Sequence, residues 1–243
     1  MTEYRIWLQN EYTNRCKRNS RYSIRAFASF LEIDSSSLSQ ILSGKRKISQ
    51  KTLDRFTEKL GKPEIEIEFS QVPKTSEYQM IALDAFTVMS DWYHTAILEL
   101  IGIPGIDHKP SSIALQLGIN QAEVKIALDR LERLELITKK GKTYHRSSGF
   151  HTNYSEDITS SAHKKFQSQL IEKALEAIYN CKAEDKDITS ITMAIDKNNL
   201  PLARKKIKAF RREMAELLEN GKQTQVYNLG IQLFPLSKER KKK

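Results

Sequence analysis

Apolar residues recur at helical spacing through the first 61 positions, interrupted by polar residues of the kind that start and stop helices. Four segments carry such a stripe: residues 2–17, 24–31, 35–43 and 50–60. Ser23, Asp34 and Ser49 precede the last three segments, where a side-chain oxygen can accept a hydrogen bond from the first turn. The pattern therefore predicts four short helices that form a domain over residues 1–61.

The pattern changes after residue 61. Residues 62–79 contain two prolines and an excess of acidic residues, which together predict a linker. Residues 80–154 return to helical stripes, break at Gly118, and end in a basic segment whose central glycine predicts a β-hairpin. Because two helices followed by a hairpin form a winged helix, we predict a second domain there.

The next part of the chain, residues 155–237, mixes two kinds of pattern. Two segments carry helical stripes, whereas residues 188–196 and 225–236 alternate apolar and polar positions as half-buried strands do. The order helix, strand, helix, strand predicts a small α+β domain for dimerisation or sensing, followed by a basic tail at 238–243. The fold class predicted for the whole chain is mainly α with a small α+β part.

The net charge of the chain indicates the kind of molecule that the protein binds. The chain carries 40 basic and 30 acidic residues, which give a net charge of +10. Residues 1–61 carry 12 bases against 6 acids, and residues 155–243 carry 18 against 12, so each block contributes +6. Two basic blocks separated by nearly neutral sequence favour an acidic polymer as the partner, most simply nucleic acid.

Residues 24–45 have the layout of a helix-turn-helix. Ala28 is small where the two helices must cross, Ile33 fills the turn, and Leu38 anchors the second helix. The outer side of that second helix is polar and free of acids. The candidate DNA-contacting residues are Ser35, Ser36, Ser39, Gln40, Lys45, Arg46 and Lys47. Since such a helix approaches base edges while flanking bases neutralise phosphates, we predict binding to double-stranded DNA.

The same residues resemble the lambda-repressor-like (Cro/C1-type) helix-turn-helix. The resemblance rests on Ala28, Ile33, Leu38, Ile41 and the sequence Ser-Gly-Lys at 43–45. It implies a five-helix domain in which Ser35, Ser36 and Gln40 contact bases. One position departs from the family pattern: Glu32 stands where the turn usually has glycine, which carries a conformational cost if its φ is positive.

A second helix-turn-helix spacing occurs further along the chain. Ala114, Gly118 and Ile119 repeat the first motif, now with the expected glycine in the turn. Acidic and basic residues alternate on the helix that follows, which is typical of a solvated surface. This patterning favours a structural or dimerising use, and base reading stays open as the alternative. The candidate phosphate contacts on the hairpin are Lys139, Lys140, Lys142 and Arg146.

Nearly the whole chain also resembles a poorly characterised bacterial family with a lambda-repressor-like N-terminus. The most specific matches are the sequence Asp-Trp-Tyr-His at 91–94 and the sequence Gln-Leu-Phe-Pro-Leu at 232–236. Members of that family are presumed transcriptional regulators. The resemblance therefore implies a regulator of transcription but neither a particular ligand nor a target site.

The function predicted from these observations is a dimeric, sequence-specific DNA-binding regulator of transcription in the cytoplasm. The sequence lacks a glycine-rich phosphate loop, a nucleophile motif and metal-ligand spacing, so we predict no enzymatic activity, no cofactor and no metal. No apolar run approaches the roughly 18 residues of a membrane span, so no membrane partner is expected. An anionic small molecule is a candidate ligand of the C-terminal part. The alternatives are a protein-interaction adaptor whose helix-turn-helix no longer binds DNA and an RNA-binding protein.

Overall fold

The computed structural model describes residues 2–19, 21–61, 85, 87–88, 90–147 and 160–238. Within these residues the chain is mainly helical with one two-stranded antiparallel sheet, which confirms the predicted fold class. None of the described helices is both long and apolar enough to cross a membrane. The chain divides into two compact units: unit 1, Met1–Phe166, and unit 2, Gln167–Lys243.

Among the described residues, four helices with given bounds open unit 1, and three further helices and a hairpin follow after residue 90. The first four are α1 (Thr2–Arg18), α2 (Ile24–Phe30), α3 (Ser35–Leu42) and α4 (Gln50–Leu60). The others are α5 (Trp92–Leu100), α6 (Pro110–Leu117) and α7 (Gln121–Arg133), followed by β1 (Ile137–Lys140) and β2 (Thr143–Arg146). Helix α8 (Ser160–Asn180) runs from unit 1 into unit 2, which also contains α9 (Leu200–Leu218). The segment at 62–79, predicted to be a linker, lies outside the described residues.

Capping fixes the starts of the helices in the first helix-turn-helix. Each of the three predicted N-cap residues accepts a hydrogen bond from the backbone N–H three positions later. At the start of α3 the Asp34 carboxylate accepts from the Ser37 N–H at 2.7 Å. Hydrogen bonds from the side chain and backbone of Ser37 lower the pKa of Asp34 to about 2. The acid next to the candidate reading helix is therefore used to start that helix.

A compact apolar core holds the first four helices together. Phe27, Leu38 and Phe56 are fully buried in it, and Ala28 is 2% exposed where α2 and α3 meet. The other members are Leu8, Leu31, Ile41, Leu42, Ile48 and Leu53. The burial of Ala28 confirms the helix register on which the first helix-turn-helix was predicted.

The turn between α2 and α3 adopts the backbone conformation that usually requires glycine. Glu32 has φ of 54°, in the left-handed region that L-residues with side chains rarely occupy. Its carboxylate pairs with Lys59 Nζ at 2.6 Å, and that ammonium also donates to the Phe30 carbonyl oxygen at 3.2 Å. The hydrogen bond to Lys59 lowers the pKa of Glu32. Glu32, whose side chain makes a positive φ unusual, thus also links the turn to α4 through its ion pair with Lys59.

The second helix-turn-helix and its hairpin form as predicted. Gly118 closes α6 in the left-handed conformation, with φ of 63°. Asn120 and Glu123 then make a reciprocal capping box at the start of α7. The strands β1 and β2 pair antiparallel around a turn that contains Gly141, with φ of 62°. Two helices and a hairpin of this order have the layout of a winged helix.

The two strands predicted in unit 2 are not formed. Residues 188–196, the first alternating segment, and residues 225–236, the second, contain no strand or bridge. The alternating pattern gives each segment one apolar side, but a strand also needs a backbone partner, and neither segment provides one for the other. The apolar stripe of α9 is only partly covered: Phe210 is 48% and Leu217 is 66% exposed, whereas Ile207 and Met214 are half-buried. The order helix, strand, helix, strand was therefore wrong for the lone chain.

Candidate nucleic-acid interface

Helix α3 has one side in the core and the other side in solvent. Leu38 and Ile41 hold it to the core. On the opposite side Ser36, Ser39 and Gln40 are exposed. Ser35, the fourth candidate on this helix, is half-buried at its first position. The outer face presents hydroxyl and amide groups that can donate to or accept from base edges.

A sharp turn leads from α3 into three consecutive basic residues. Gly44 has φ of 76°, and a Cβ placed on it would lie 2.5 Å from Arg5 Nη1. Glycine is therefore favoured here by the backbone conformation, while the end of the flexible Arg5 side chain would have to shift to admit a Cβ. The turn delivers exposed Lys45, Arg46 and Lys47 beside the outer face of α3.

The three basic residues differ in their engagement with the protein. The Arg46 guanidinium donates to the Ser37 hydroxyl, and its backbone N–H donates to the Gln40 carbonyl oxygen at 3.1 Å. Arg46 thus braces the loop against α3. Within the described residues, no hydrogen bond or ion pair engages the ammonium groups of Lys45 and Lys47. These two lysines are the stronger candidates for phosphate contacts.

The candidate phosphate contacts on the hairpin also differ in whether they already pair with another residue of the protein. Lys139, Lys140 and Lys142 are exposed on β1 and the turn. Arg146 instead pairs through Nη1 with Glu99 Oε2 at 2.6 Å, which joins β2 to α5. Because its charge is already paired with Glu99 at the surface, Arg146 is a weaker candidate for a phosphate contact than the three lysines.

One basic residue of the loop after α3 and one of the hairpin act on the pKa of the same carboxylate, that of Asp129 on α7. Desolvation raises the pKa of Asp129 on α7 above its usual range, and the charges of Lys45 and Lys139 oppose that shift. Both lysines are therefore within electrostatic reach of the same carboxylate. Asp129 thus lies within electrostatic range of basic residues from both motifs.

Helix α7 does not present a reading face equivalent to that of α3. By the spacing of the two motifs, Gln121, Ala122 and Ile126 correspond to the three base-contact candidates of α3. Ile126 stands at the position of exposed Gln40 but is only 8% exposed itself. An apolar residue packed into the protein cannot read a base edge, so the geometry favours the structural use of this motif.

Helix α1 packs against α7 through buried polar contacts. Lys17 Nζ pairs with Glu123 Oε1 at 2.9 Å, and the Glu123 side chain is 2% exposed. Arg130 Nη2 donates to Gln9 Oε1 at 2.6 Å, and Gln9 Nε2 donates to the Leu42 carbonyl oxygen at 2.6 Å. The Gln9 amide therefore links α7 to the last turn of α3. We call this connection the Gln9 bridge.

The Gln9 bridge was missed by sequence reasoning, although a weak signal exists. Gln9 and Thr13 share a helix face with Ile6 and Cys16, and all four are buried. Polar residues within an apolar stripe indicate buried hydrogen bonds, because an unpaired buried amide is costly. Nothing in the pattern could name Arg130, which lies 121 positions further along the chain.

The Asp-Trp-Tyr-His sequence contributes buried polar groups next to Arg130. Asp91 pairs with Lys165 Nζ at 2.6 Å, and His94 has no exposed surface. Burial, assisted by the positive charge of Arg130, lowers the pKa of His94 to about 3, so its imidazole is neutral at physiological pH. These residues stabilise the interior of unit 1. Among the described residues, no group of histidines, cysteines and carboxylates is arranged to hold a metal ion.

In class, the described chain is a mainly helical protein with two helix-turn-helix motifs, of which the first exposes a polar face and the second is packed. A family model described as a domain of unknown function, DUF4423, matches residues 72–236. That match covers more than half of the chain, so the protein belongs to this family. No curated protein and no solved structure matches the chain.

Proposed function

We propose that the protein is a sequence-specific DNA-binding regulator of transcription that reads bases through α3. The observation that carries this proposal is the two-sided character of α3. One side is fixed in an apolar core, and the other exposes hydroxyl and amide groups beside two lysines without protein partners among the described residues. This combination fits a recognition helix that lies in the major groove while its flanking bases contact phosphates.

The hairpin extends the proposed contact. Lys139, Lys140 and Lys142 are exposed on it, and the charges of Lys139 and Lys45 both act on the pKa of Asp129. We assign these lysines to phosphate contacts and leave Arg146 out of the interface. Such a protein would act in the cytoplasm, where bacterial DNA is found.

Replacing Lys45 or Lys47 with alanine should weaken binding to every DNA sequence. Each lysine would displace about one condensed counterion, so each substitution should reduce the slope of log K against log salt by about one unit. Filter binding or fluorescence anisotropy over a range of salt concentrations measures that slope. Lys109→Ala is the matched control, because its ammonium already pairs with Asp107 at 3.5 Å. Unchanged slopes for both Lys45→Ala and Lys47→Ala would remove these lysines from the interface.

Gln40→Ala should act on specificity instead. A glutamine amide can make a bidentate contact with adenine, so its loss should cost about 1–3 kcal/mol at the preferred site and little on random duplex. The preferred site is first selected from a random duplex library, and the two affinities are then compared at one salt concentration. Gln116→Ala, an exposed glutamine on α6, is the control. A specific-to-random ratio that Gln40→Ala leaves intact would favour the adaptor function over base reading.

A further inference from the structure

The described residues of unit 2 form no buried core of their own. None of the described residues from 167 to 238 is buried. The described chain has 20 exposed large apolar residues, and only Phe30 and Leu115 belong to unit 1, so 18 of them lie in unit 2. Burial of apolar surface is the main favourable term in folding, and single soluble chains rarely expose an apolar patch of more than roughly 300–600 Å². We therefore expect another protein surface to bury the exposed apolar side chains of unit 2.

The apolar residues of unit 2 follow two regular patterns. On α9 the stripe is formed by Leu200, Ala203, Ile207, Phe210, Met214 and Leu217. Their spacings alternate between three and four, which is the heptad repeat of helices that pack along their length. Phe210 and Leu217 are exposed, and the other four are half-buried. The second pattern is in the alternating segments, where Ile191, Met193 and Ile195 occupy every other position of the first segment. Alternation of this kind belongs to a strand with one covered face.

We infer that a second copy of this chain covers these surfaces, so that unit 2 is a dimerisation module whose alternating segments pair between the two copies. Each copy carries two segments with strand-like alternation and no ladder partner in the lone chain. Pairing across a twofold axis gives the backbone N–H and C=O groups of both copies hydrogen-bond partners at once, because each copy supplies the strand edge that the other lacks. The α9 stripe then packs on the apolar face that the paired segments form.

The size of the exposed surface supports this occupant. The 18 side chains are 38–79% exposed, and together they exceed the ~800 Å² per partner of a standard interface. Obligate homodimer interfaces are large and apolar and resemble a domain core cut in half. Unit 2 has that character, since its helices and alternating segments are present and only their common core is missing. The inference concerns assembly alone and does not depend on DNA binding.

Sedimentation equilibrium of the full chain tests the inference. The wild-type protein should have twice the mass of one chain. Ile191→Asp and Leu229→Asp should each raise the dissociation constant of the dimer by roughly 100-fold or more, because a carboxylate would be buried in an apolar interface. Leu115→Asp is the matched control: Leu115 is 84% exposed and lies in unit 1. A monomeric wild type, or Ile191→Asp and Leu229→Asp variants that dimerise like the control, would overturn the inference.

Hydrogen exchange on the wild-type protein gives a second readout that no substitution can disturb. Backbone amides of the two alternating segments should be protected at high protein concentration and should lose that protection on dilution. Amides in the core of unit 1 should exchange equally at both concentrations. Rapid exchange of the alternating segments at every concentration contradicts the inference, even if the aspartate variants prove to be unfolded. Gln40→Ala should dimerise like the wild type, so failure of DNA reading and failure of assembly are distinguishable.

Discussion

Arg130→Ala is expected to lower the free energy of unfolding of unit 1 by about 3–5 kcal/mol. The Arg130 side chain is 1% exposed, and its guanidinium donates to Gln9 Oε1 at 2.6 Å. Its charge also holds down the pKa of the buried Asp91 carboxyl, alongside the larger contribution from Lys165. The substitution would leave a cavity, a buried amide oxygen without its donor and a carboxylate with less positive charge nearby, and each of these is destabilising.

Urea unfolding followed by circular dichroism measures the change. Lys125→Ala provides the control on the same helix, because Lys125 is exposed and should change stability little. If Arg130→Ala costs no more than Lys125→Ala, the buried contact between α1 and α7 does not stabilise the protein. A further readout is DNA affinity, which should fall with Arg130→Ala because the last turn of α3 is held through the Gln9 bridge.

Ala28→Leu is expected to destabilise unit 1 by about 1–3 kcal/mol. Ala28 is 2% exposed between α2 and α3, so three additional carbon atoms would force the two helices apart. The neighbouring Ser29 is exposed on the outer side of α2, and Ser29→Leu should be much milder. Thermal unfolding of the two variants, run side by side, measures the difference. Equal melting temperatures would mean that the crossing point of the two helices is not at Ala28.

Local features of the fold could be predicted from the sequence because their causes are local. An N-cap such as Asp34 acts on the turn that follows it, and Gly118 ends its own helix. The apolar stripe of α3 determines which side is buried, and its complement is the candidate reading face. These features required only neighbouring residues, so the first helix-turn-helix, the hairpin and most helix bounds could be read from the pattern.

The remaining features depend on contacts between distant parts of the chain. The alternating segments have the residue pattern of strands, but pairing is decided by a backbone edge elsewhere, which a periodic pattern cannot specify. The spacing of the two motifs places Ile126 at the position of Gln40, but only the packing shows that Ile126 is buried. The sequence places Arg146 among the candidate phosphate contacts, but its partner Glu99 lies on α5, 47 positions away.

The Gln9 bridge has a consequence for how this protein can be divided. A fragment that ends at residue 61 would keep α1 but lose α7, and Gln9 would then face solvent on the side that Arg130 covers. Helix α3 would retain its sequence while losing one support of its last turn. A fragment that keeps the Gln9 bridge therefore extends at least from α1 through α7, and grafting the first four helices alone onto another protein would transfer the outer face of α3 without the contact that holds its last turn to Arg130 through Gln9.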